Sequence, residues 1–375
     1  MAKVSVAECP SYDPVLVERA IKTALKKISF SFSGGTVLIK PNLLLAAHPD
    51  EAITTHPSVV AAVCRLLRKR GCRIIIAESM GPSLAAGREI FRITGMDEVI
   101  RRFRAEPLFF ENTVIERKPV KGMVLSEVPL SARLREIDYI VNLPKLKTHA
   151  LTRYTGAVKN LYGFLPGGTK SEFHRIGKTA ELFSQLLLDI YTAFDIPIIA
   201  IMDGVIGLEG YGPGRGGHPR NTGLILASQD CLALDIVASE RIGFGRDDVL
   251  TNRFGLQRGL TDKPEEVGST KRVDYDKPRL FSRRIPAALL SLFQGLILAR
   301  PVCRDRLCIQ CKKCRKACPV GAISMRPYPR IAYGRCIKCY CCYELCPEHA
   351  IRLRQPVYIR SILFTKKLIR KVLHL

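Results

Sequence analysis

Between residues 1 and 270, short apolar runs alternate with stretches whose apolar positions recur every three or four residues. TVLIKPN (36–42), CRIIIAES (72–79), IDYIVNLP (137–144), PIIAIMDG (197–204) and TGLILAS (222–228) read as buried strands, with VSVAE (4–8) a shorter one. PVLVERAIKTALKKI sets Val15, Val17, Ala20, Ile21, Ala24 and Leu25 at helical spacing. A second helix is expected from Pro57, a residue suited to a first turn, to about Gly71, and a third over CLALDIVASERIG (231–243). Such alternation predicts an α/β domain: a mostly parallel sheet with flanking helices. Ligands of such sheets bind at the carboxyl ends of the strands. Here those ends are polar: Lys40-Pro41-Asn42, Glu78-Ser79, Lys145 with Lys147, and Asp203-Gly204.

The pattern changes after residue 270. Residues 271–302 read as a linker plus an apolar helix, 303–356 as a small cysteine-rich α+β domain, and 357–375 as a basic amphipathic tail. The longest apolar run, IPAALLSLFQGLILA (285–299), is shorter than the roughly 20 residues of a bilayer span. The first residues show no secretory signal pattern. A cytoplasmic protein is expected, with the tail able to lie on the inner face of the membrane or to pack on its own domain.

Of 14 cysteines, ten crowd into residues 303–346, which reads as metal ligation rather than a disulfide framework. Cys308-x2-Cys311-x2-Cys314-x3-Cys318-Pro319 recurs 28 residues later as Cys336-x2-Cys339-x2-Cys342-x3-Cys346-Pro347. In two-cluster ferredoxins the fourth cysteine of each run ligates the other cluster. Cys308, Cys311, Cys314 and Cys346 are therefore assigned to one [4Fe–4S] cluster, and Cys336, Cys339, Cys342 and Cys318 to a second. Zinc sites rarely repeat eight cysteines in this way. Cys303 and Cys341 fall outside the spacing. The segment resembles the bacterial two-cluster ferredoxins, which implies a ferredoxin-like fold and electron transfer.

Charge sharpens the picture. The chain carries a formal +25, but residues 281–375 hold 20 Lys and Arg against three acidic residues. Lys312, Lys313, Arg315, Lys316, Arg335 and Lys338 surround the cysteine motifs, and cations there should raise the potential of a bound anionic cluster. Basic charge also serves nucleic-acid binding, but no binding module is visible and Trp is absent, so no nucleic-acid partner is expected.

A second cationic concentration lies in NLPKLKTHALTRYTGAVKNLYG (142–163). It carries Lys145, Lys147, His149, Arg153, Lys159 and Asn160, and no carboxylate occurs between Asp138 and Glu172. With a helix from about Thr152, Thr155 and Lys159 would share a face. Ammonium groups and hydroxyls so gathered suit a carboxylate or phosphate, with His149 as proton donor, Lys147 beside it, and Lys40 and Asn42 at the adjacent strand end. His56 either faces this site or caps the helix behind it. His174 follows LPGGTK (165–170), a lid or a plain connector. Asp203 and Glu209 sit in a glycine-rich stretch where they could hold a cation or orient a lysine. Neither a Walker A loop nor a G-x-G-x-x-G fingerprint is present.

LIKPNLL (38–44), TTHPSVV (54–60), NLPKLKTH (142–149), VKNLYG (158–163), MDGVIGLEGYGPGRGG (202–217) and LALDIVA (232–238) together resemble the "domain of unknown function 362" family. The resemblance implies a fusion of that domain to a ferredoxin module, with no settled reaction. The expectation is an iron–sulfur oxidoreductase that moves electrons to or from a small anionic substrate, with a redox partner protein. The alternatives are a non-catalytic electron carrier or assembly factor that docks a protein, and an isomerase whose clusters are structural.

Overall fold

The computed structural model describes residues 1–79, 84–278 and 298–354. The tail 357–375 and most of the apolar run 285–299 lie outside the described residues. The chain divides into two compact units, Met1–Lys277 and Pro278–Leu375.

The first unit is built on one ten-stranded, mostly parallel mixed sheet. Its early elements are β1 (Lys3–Glu8), α1 (Pro14–Lys27), β2 (Thr36–Pro41), α2 (Pro57–Arg68), β3 (Arg73–Glu78), α3 (Leu84–Ile93), α4 (Met96–Phe103) and β4 (Glu106–Phe109). The hairpin β5 (Ile115–Pro119) and β6 (Glu127–Ser131) precedes β7 (Tyr139–Leu143), β8 (Lys145–His149) and β9 (Arg153–Thr155). Then come α5 (Ala157–Asn160), α6 (Gly167–Ile176), α7 (Ala180–Tyr191), β10 (Ile198–Gly210), β11 (Gly217–Ser228), α8 (Cys231–Arg241), α9 (Leu250–Gln257) and β12 (Glu265–Gly268). The main strand order is β12-β1-β11-β10-β7-β2-β3-β4, with β8 beside β10 and β9 beside β8.

Side-chain alternation along the strands sorts the core into two layers. Val37 and Ile39 of β2, with Ile74 and Ile76 of β3, pack on α1 and α2. Leu38, Ile75 and Ile140 face the other way, onto α7 and α8. Both faces are covered, which is why these strands are continuous apolar runs. Local chemistry fixes the helix starts. Asp13 accepts from the backbone of Val15 at 2.9 Å and Leu16 at 3.0 Å, with Pro14 at the first turn, and Asp230 caps α8 in the same way.

Three stretches differ from the sequence-based expectation. KLKTH is a strand that pairs parallel with β10 and antiparallel with β9, and no helix begins at Thr152. Thr155 therefore closes a hairpin opposite Lys147 instead of sharing a helical face with Lys159. The glycine-rich residues 202–217 are mostly a continuation of β10, which with β11 forms a long antiparallel hairpin broken by a bulge between Gly204 and Ile206. Its glycines admit the close neighbour β8: a side chain on Gly204 would meet Leu146 at 3.0 Å. LPGGTK is likewise no loop, since α6 starts at Gly167.

The second unit contains β13 (Arg300–Cys303) paired antiparallel with β16 (Ile351–Arg354), and β14 (Ile323–Arg326) paired with β15 (Tyr328–Ile331). Short helices span Lys313–Lys316 and Cys341–Glu344. The 28-residue repeat is written into the backbone. Left-handed residues occur in matched pairs: Gln310 and Lys338, Lys312 and Tyr340, Gly321 and His349. Each pair bends the chain at the same place in its own copy.

Candidate functional site

The cysteine repeat folds around two cavities. One is lined by Cys308, Cys311, Cys314 and Cys346, together with Ile309, Lys312 and Met325. The other is lined by Cys318, Cys336, Cys339 and Cys342, with an apolar wall that includes Ile323, Ile331 and Ile337. In both, the fourth cysteine crosses over from the other copy. The Ala322 amide donates to Cys318 Sγ at 3.1 Å, and the equivalent Ala350 amide donates to Cys346 Sγ at 3.2 Å. Four sulfurs around a void, with backbone amides aimed at sulfur, fit a thiolate-ligated [4Fe–4S] group better than a single tetrahedral ion. Among the described residues no group of His, Cys, Asp or Glu is placed to hold a lone metal ion.

In the first unit Lys40 lies near the carboxyl end of β2, while Lys145 opens β8 just past the end of β7 with Lys147 at its middle, yet they are not free. Lys145, fully buried, donates to Asp203 Oδ2 at 2.8 Å and to the Tyr12 hydroxyl at 2.7 Å. Asp203, also fully buried, takes further hydrogen bonds from the Tyr12 hydroxyl at 2.9 Å and the His56 amide at 2.9 Å. Burial lowers the Lys145 pKa, with Asp203 working against it. His56 stacks on Tyr12 at 3.6 Å and caps α2, its Nδ1 accepting from the Ser58 amide. Burial pushes its imidazole down to about 4, so it is neutral. Lys145, Asp203 and His56 thus form a closed brace between β8, β10 and α2.

Lys40 is paired in the same manner, donating to Glu78 Oε2 and to the Pro41 carbonyl at 2.8 and 2.6 Å. Beside it runs a ladder of side-chain amides. Lys147 donates to Asn42 Oδ1 at 2.6 Å and to the Ile53 carbonyl at 2.7 Å. Asn42 donates to Asn160 Oδ1 at 2.9 Å, and Asn160 donates to Asn142 Oδ1 at 2.7 Å. The ladder satisfies groups that would otherwise be costly to bury and fixes the Lys147 ammonium in place.

Above the ladder the balance is positive. Lys40, Lys147, Lys159 and Lys170 act on the same neighbourhood as Glu78, Glu111, His149 and His174. His149 is buried, and its Nδ1 accepts from the Leu151 and Thr152 amides at 3.0 and 3.3 Å. Burial first, then the Lys159 and Lys147 ammoniums, hold its pKa well below 6.5. It is therefore a neutral imidazole with its proton on Nε2, suited to hydrogen bonding. His174 stacks on Phe183 at 4.6 Å and is pushed down to about 3, by burial and then by Lys159 and Lys170. Its Nδ1 and the Thr155 hydroxyl are buried without a hydrogen-bond partner among the described residues.

Lys170, from α6, is the functional candidate that sequence reasoning passed over. The residue is partly buried. Burial lowers its pKa to about 8, with Lys40 and Lys159 adding to the fall and Glu78 and Glu111 opposing it. Its signal in the sequence was a lysine four residues before His174, on the same helical face. Glu209, in contrast, lies apart, paired with His218 at 3.2 Å and accepting from the Asp276 amide.

The backbone of VKNLYG approaches these groups closely. A side chain on Gly163 would meet Lys40 Cε at 2.8 Å, and one on Gly156 would collide with Asp235 Oδ1 and the Tyr154 hydroxyl. Asp235 in turn accepts from the Ala157 and Val158 amides at 2.6 and 2.9 Å, tying α5 to α8. Gly156→Ala is expected to lower stability by about 1–3 kcal/mol through overpacking and to displace Lys159 and Asn160. Urea denaturation checks the first effect, and an unchanged midpoint would contradict it.

Residues 37–240 match the family described as "Domain of unknown function (DUF362)", and residues 307–351 match the "4Fe-4S dicluster domain". Over 269 residues the chain is 32% identical to the thylakoid-associated protein sll1697 of Synechocystis sp., covering 70% of this chain and 82% of that protein. A more distant solved structure, the lactate racemase apoprotein from Thermoanaerobacterium thermosaccharolyticum, has a TM-score of 0.38 and 13% identity. That likeness covers 63% of this chain and 58% of the other. The dicluster match gives the C-terminal unit an iron–sulfur, electron-transfer role. Among the described residues no helix is long and apolar enough to cross a membrane.

Proposed function

The chain belongs to the DUF362 family and carries a 4Fe-4S dicluster unit, and from that premise we propose that it is an iron–sulfur oxidoreductase acting on a small anionic substrate. The observation that carries the reading is the division of eight repeat cysteines into two four-sulfur cavities. Cys308, Cys311, Cys314 and Cys346 would hold one [4Fe–4S] cluster, and Cys318, Cys336, Cys339 and Cys342 the other. When bound, such clusters supply one-electron transfer.

In the α/β unit, Lys147, Lys159 and Lys170 attract the anion, while His149 offers a hydrogen bond from Nε2. Lys170, protonated at neutral pH with a pKa of about 8, holds the proton that reduction of a substrate oxygen or carbon needs. Lys40 and Asn160 support the ladder on which Lys147 rests. Lys145, Asp203 and His56 are a structural brace. A place at a membrane surface belongs to the same proposal, supported by the thylakoid association in the relative's name.

The test is anaerobic reduction with dithionite, followed by a screen of small carboxylates and phosphates for reoxidation of the absorption near the visible shoulder of the clusters. At least one anion should reoxidise the protein, and Lys170→Met should abolish the effect with the spectrum intact. Reoxidation by an acidic carrier protein and by no small anion would favour the non-catalytic carrier.

The charge on Lys170 also predicts a pH dependence. Deprotonation removes one cation, so the affinity for a small dicarboxylate such as oxalate should fall as pH rises through about 8. Calorimetric titration at several pH values reads this out. A flat profile between pH 7 and 9 would contradict it, and Lys170→Arg should move the fall to higher pH.

A further inference from the structure

The two cavities of the C-terminal unit differ at their mouths. Cys311, in the first, is the only exposed cysteine among the eight, and Ile309 and Lys312 share its wall. The second is walled by apolar side chains and holds no exposed cysteine. The segment that carries Cys308, Cys311 and Cys314 is an exposed basic stretch: Arg306, Lys312, which lines the first cavity, Lys313, Arg315 and Lys316. None of these five side chains makes an ion pair or hydrogen bond among the described residues. Cations of the first unit commonly do, as Arg65 with Glu18 and Arg73 with Glu106 show. Within the stretch stand two exposed apolar side chains, Leu307 at 41% and Ile309 at 61% exposure. The local carboxylates do little to offset the charge. Asp305 is paired with Arg330 at 3.1 Å, and Glu348 is a single exposed acid on the cavity wall.

We propose that this face, Arg306 to Lys316 with the mouth of the Cys308–Cys311–Cys314–Cys346 cavity, docks an acidic one-electron carrier protein, and that electrons cross the surface of the unit there. The inference rests on the reading that clusters fill the cavities. An apolar centre with an unpaired charged rim is the anatomy of a transient protein interface. Unpaired rim charges set the rate of encounter and the choice of partner, so the partner must carry an acidic ring around its own redox centre.

The experiment uses the full, cluster-loaded chain and an acidic two-cluster ferredoxin, both oxidised, in calorimetric titrations from 20 to 300 mM salt. Binding should weaken steeply with salt. In the triple variant Lys312→Glu, Lys313→Glu, Lys316→Glu it should fall at least tenfold, with the cluster absorption unchanged. Ile309→Ser should weaken it severalfold with the same salt slope, which keeps the test alive should the triple variant lose its clusters. Wild-type affinity in the variants overturns the docking surface. So does lysine-dependent binding to phosphatidylglycerol vesicles with none to the ferredoxin, which would make the face a lipid contact. A wild-type chain isolated under anaerobic conditions without iron overturns the underlying reading instead, whatever the titrations show.

Discussion

Asp203→Asn is expected to destabilise the α/β unit by about 3–5 kcal/mol, among the largest effects of any single substitution outside the cysteines. Asp203 and Lys145 are both fully buried and 2.8 Å apart, so removing the carboxylate leaves a buried ammonium with no compensating charge. Burial already lowers the Lys145 pKa, and Asp203 is the group that opposes that shift. In the variant the shift grows. Between the folded pKa of Lys145 and its unfolded value of about 10.4, the unfolded chain binds more protons, so the penalty should shrink as pH rises through that window. Denaturant titrations at two pH values test both parts. A second variant, Asp203→Leu with Lys145→Met, removes both charges and should recover much of the loss. A single-variant loss below about 1 kcal/mol would show that the brace is not holding β8 to β10.

The second large effect concerns the crossed cysteines. Cys346 belongs to the second copy in the sequence, yet it lines the cavity of Cys308, Cys311 and Cys314. Cys318 belongs to the first copy and lines the cavity of Cys336, Cys339 and Cys342. Cys346→Ser should therefore remove the cluster of the first motif, and Cys318→Ser that of the second. Each variant should keep about half the iron. Pairing each substitution with one from a triplet separates crossed from local ligation. Cys346→Ser with Cys311→Ser should keep the same iron as either alone, whereas Cys346→Ser with Cys339→Ser should lose nearly all of it. The opposite order would mean that each copy ligates its own cluster.

Most of the fold was legible because it rests on local rules. The buried strands are β-branched runs, and α1 and α2 announce themselves by Asp13-Pro14 and His56-Pro57 at their starts. The cysteine spacing carried its own geometry, down to the 28-residue offset that reappears in the left-handed backbone positions. The α/β site was less legible, and the reason is sequence distance. Residues 142–163 hold an unbalanced run of cations, but their counter-charges come from Asp203, beside Lys145, and Asp248, beside Arg153, both distant in sequence and brought near only by the fold. What looked like a set of waiting cations is in large part a set of satisfied ones.

Secondary structure hid the rest. Lys145, Lys147 and His149 alternate with period two, a strand signature that was overshadowed by Pro144 and by the polarity of the segment. The strand over 197–204 was expected to end at Gly204, since glycine usually weakens strands, but β10 runs on to Gly210 and its glycines let β8 approach. Lys170 could be weighed only once α6 placed it against Lys40 and Glu78.

If eight cysteines seat two [4Fe–4S] clusters, counting iron and sulfide will show it. Protein prepared anaerobically should hold about eight iron and eight acid-labile sulfide per chain, with Mössbauer parameters of cubane clusters throughout. Four iron, or zinc in place of iron, would contradict the account.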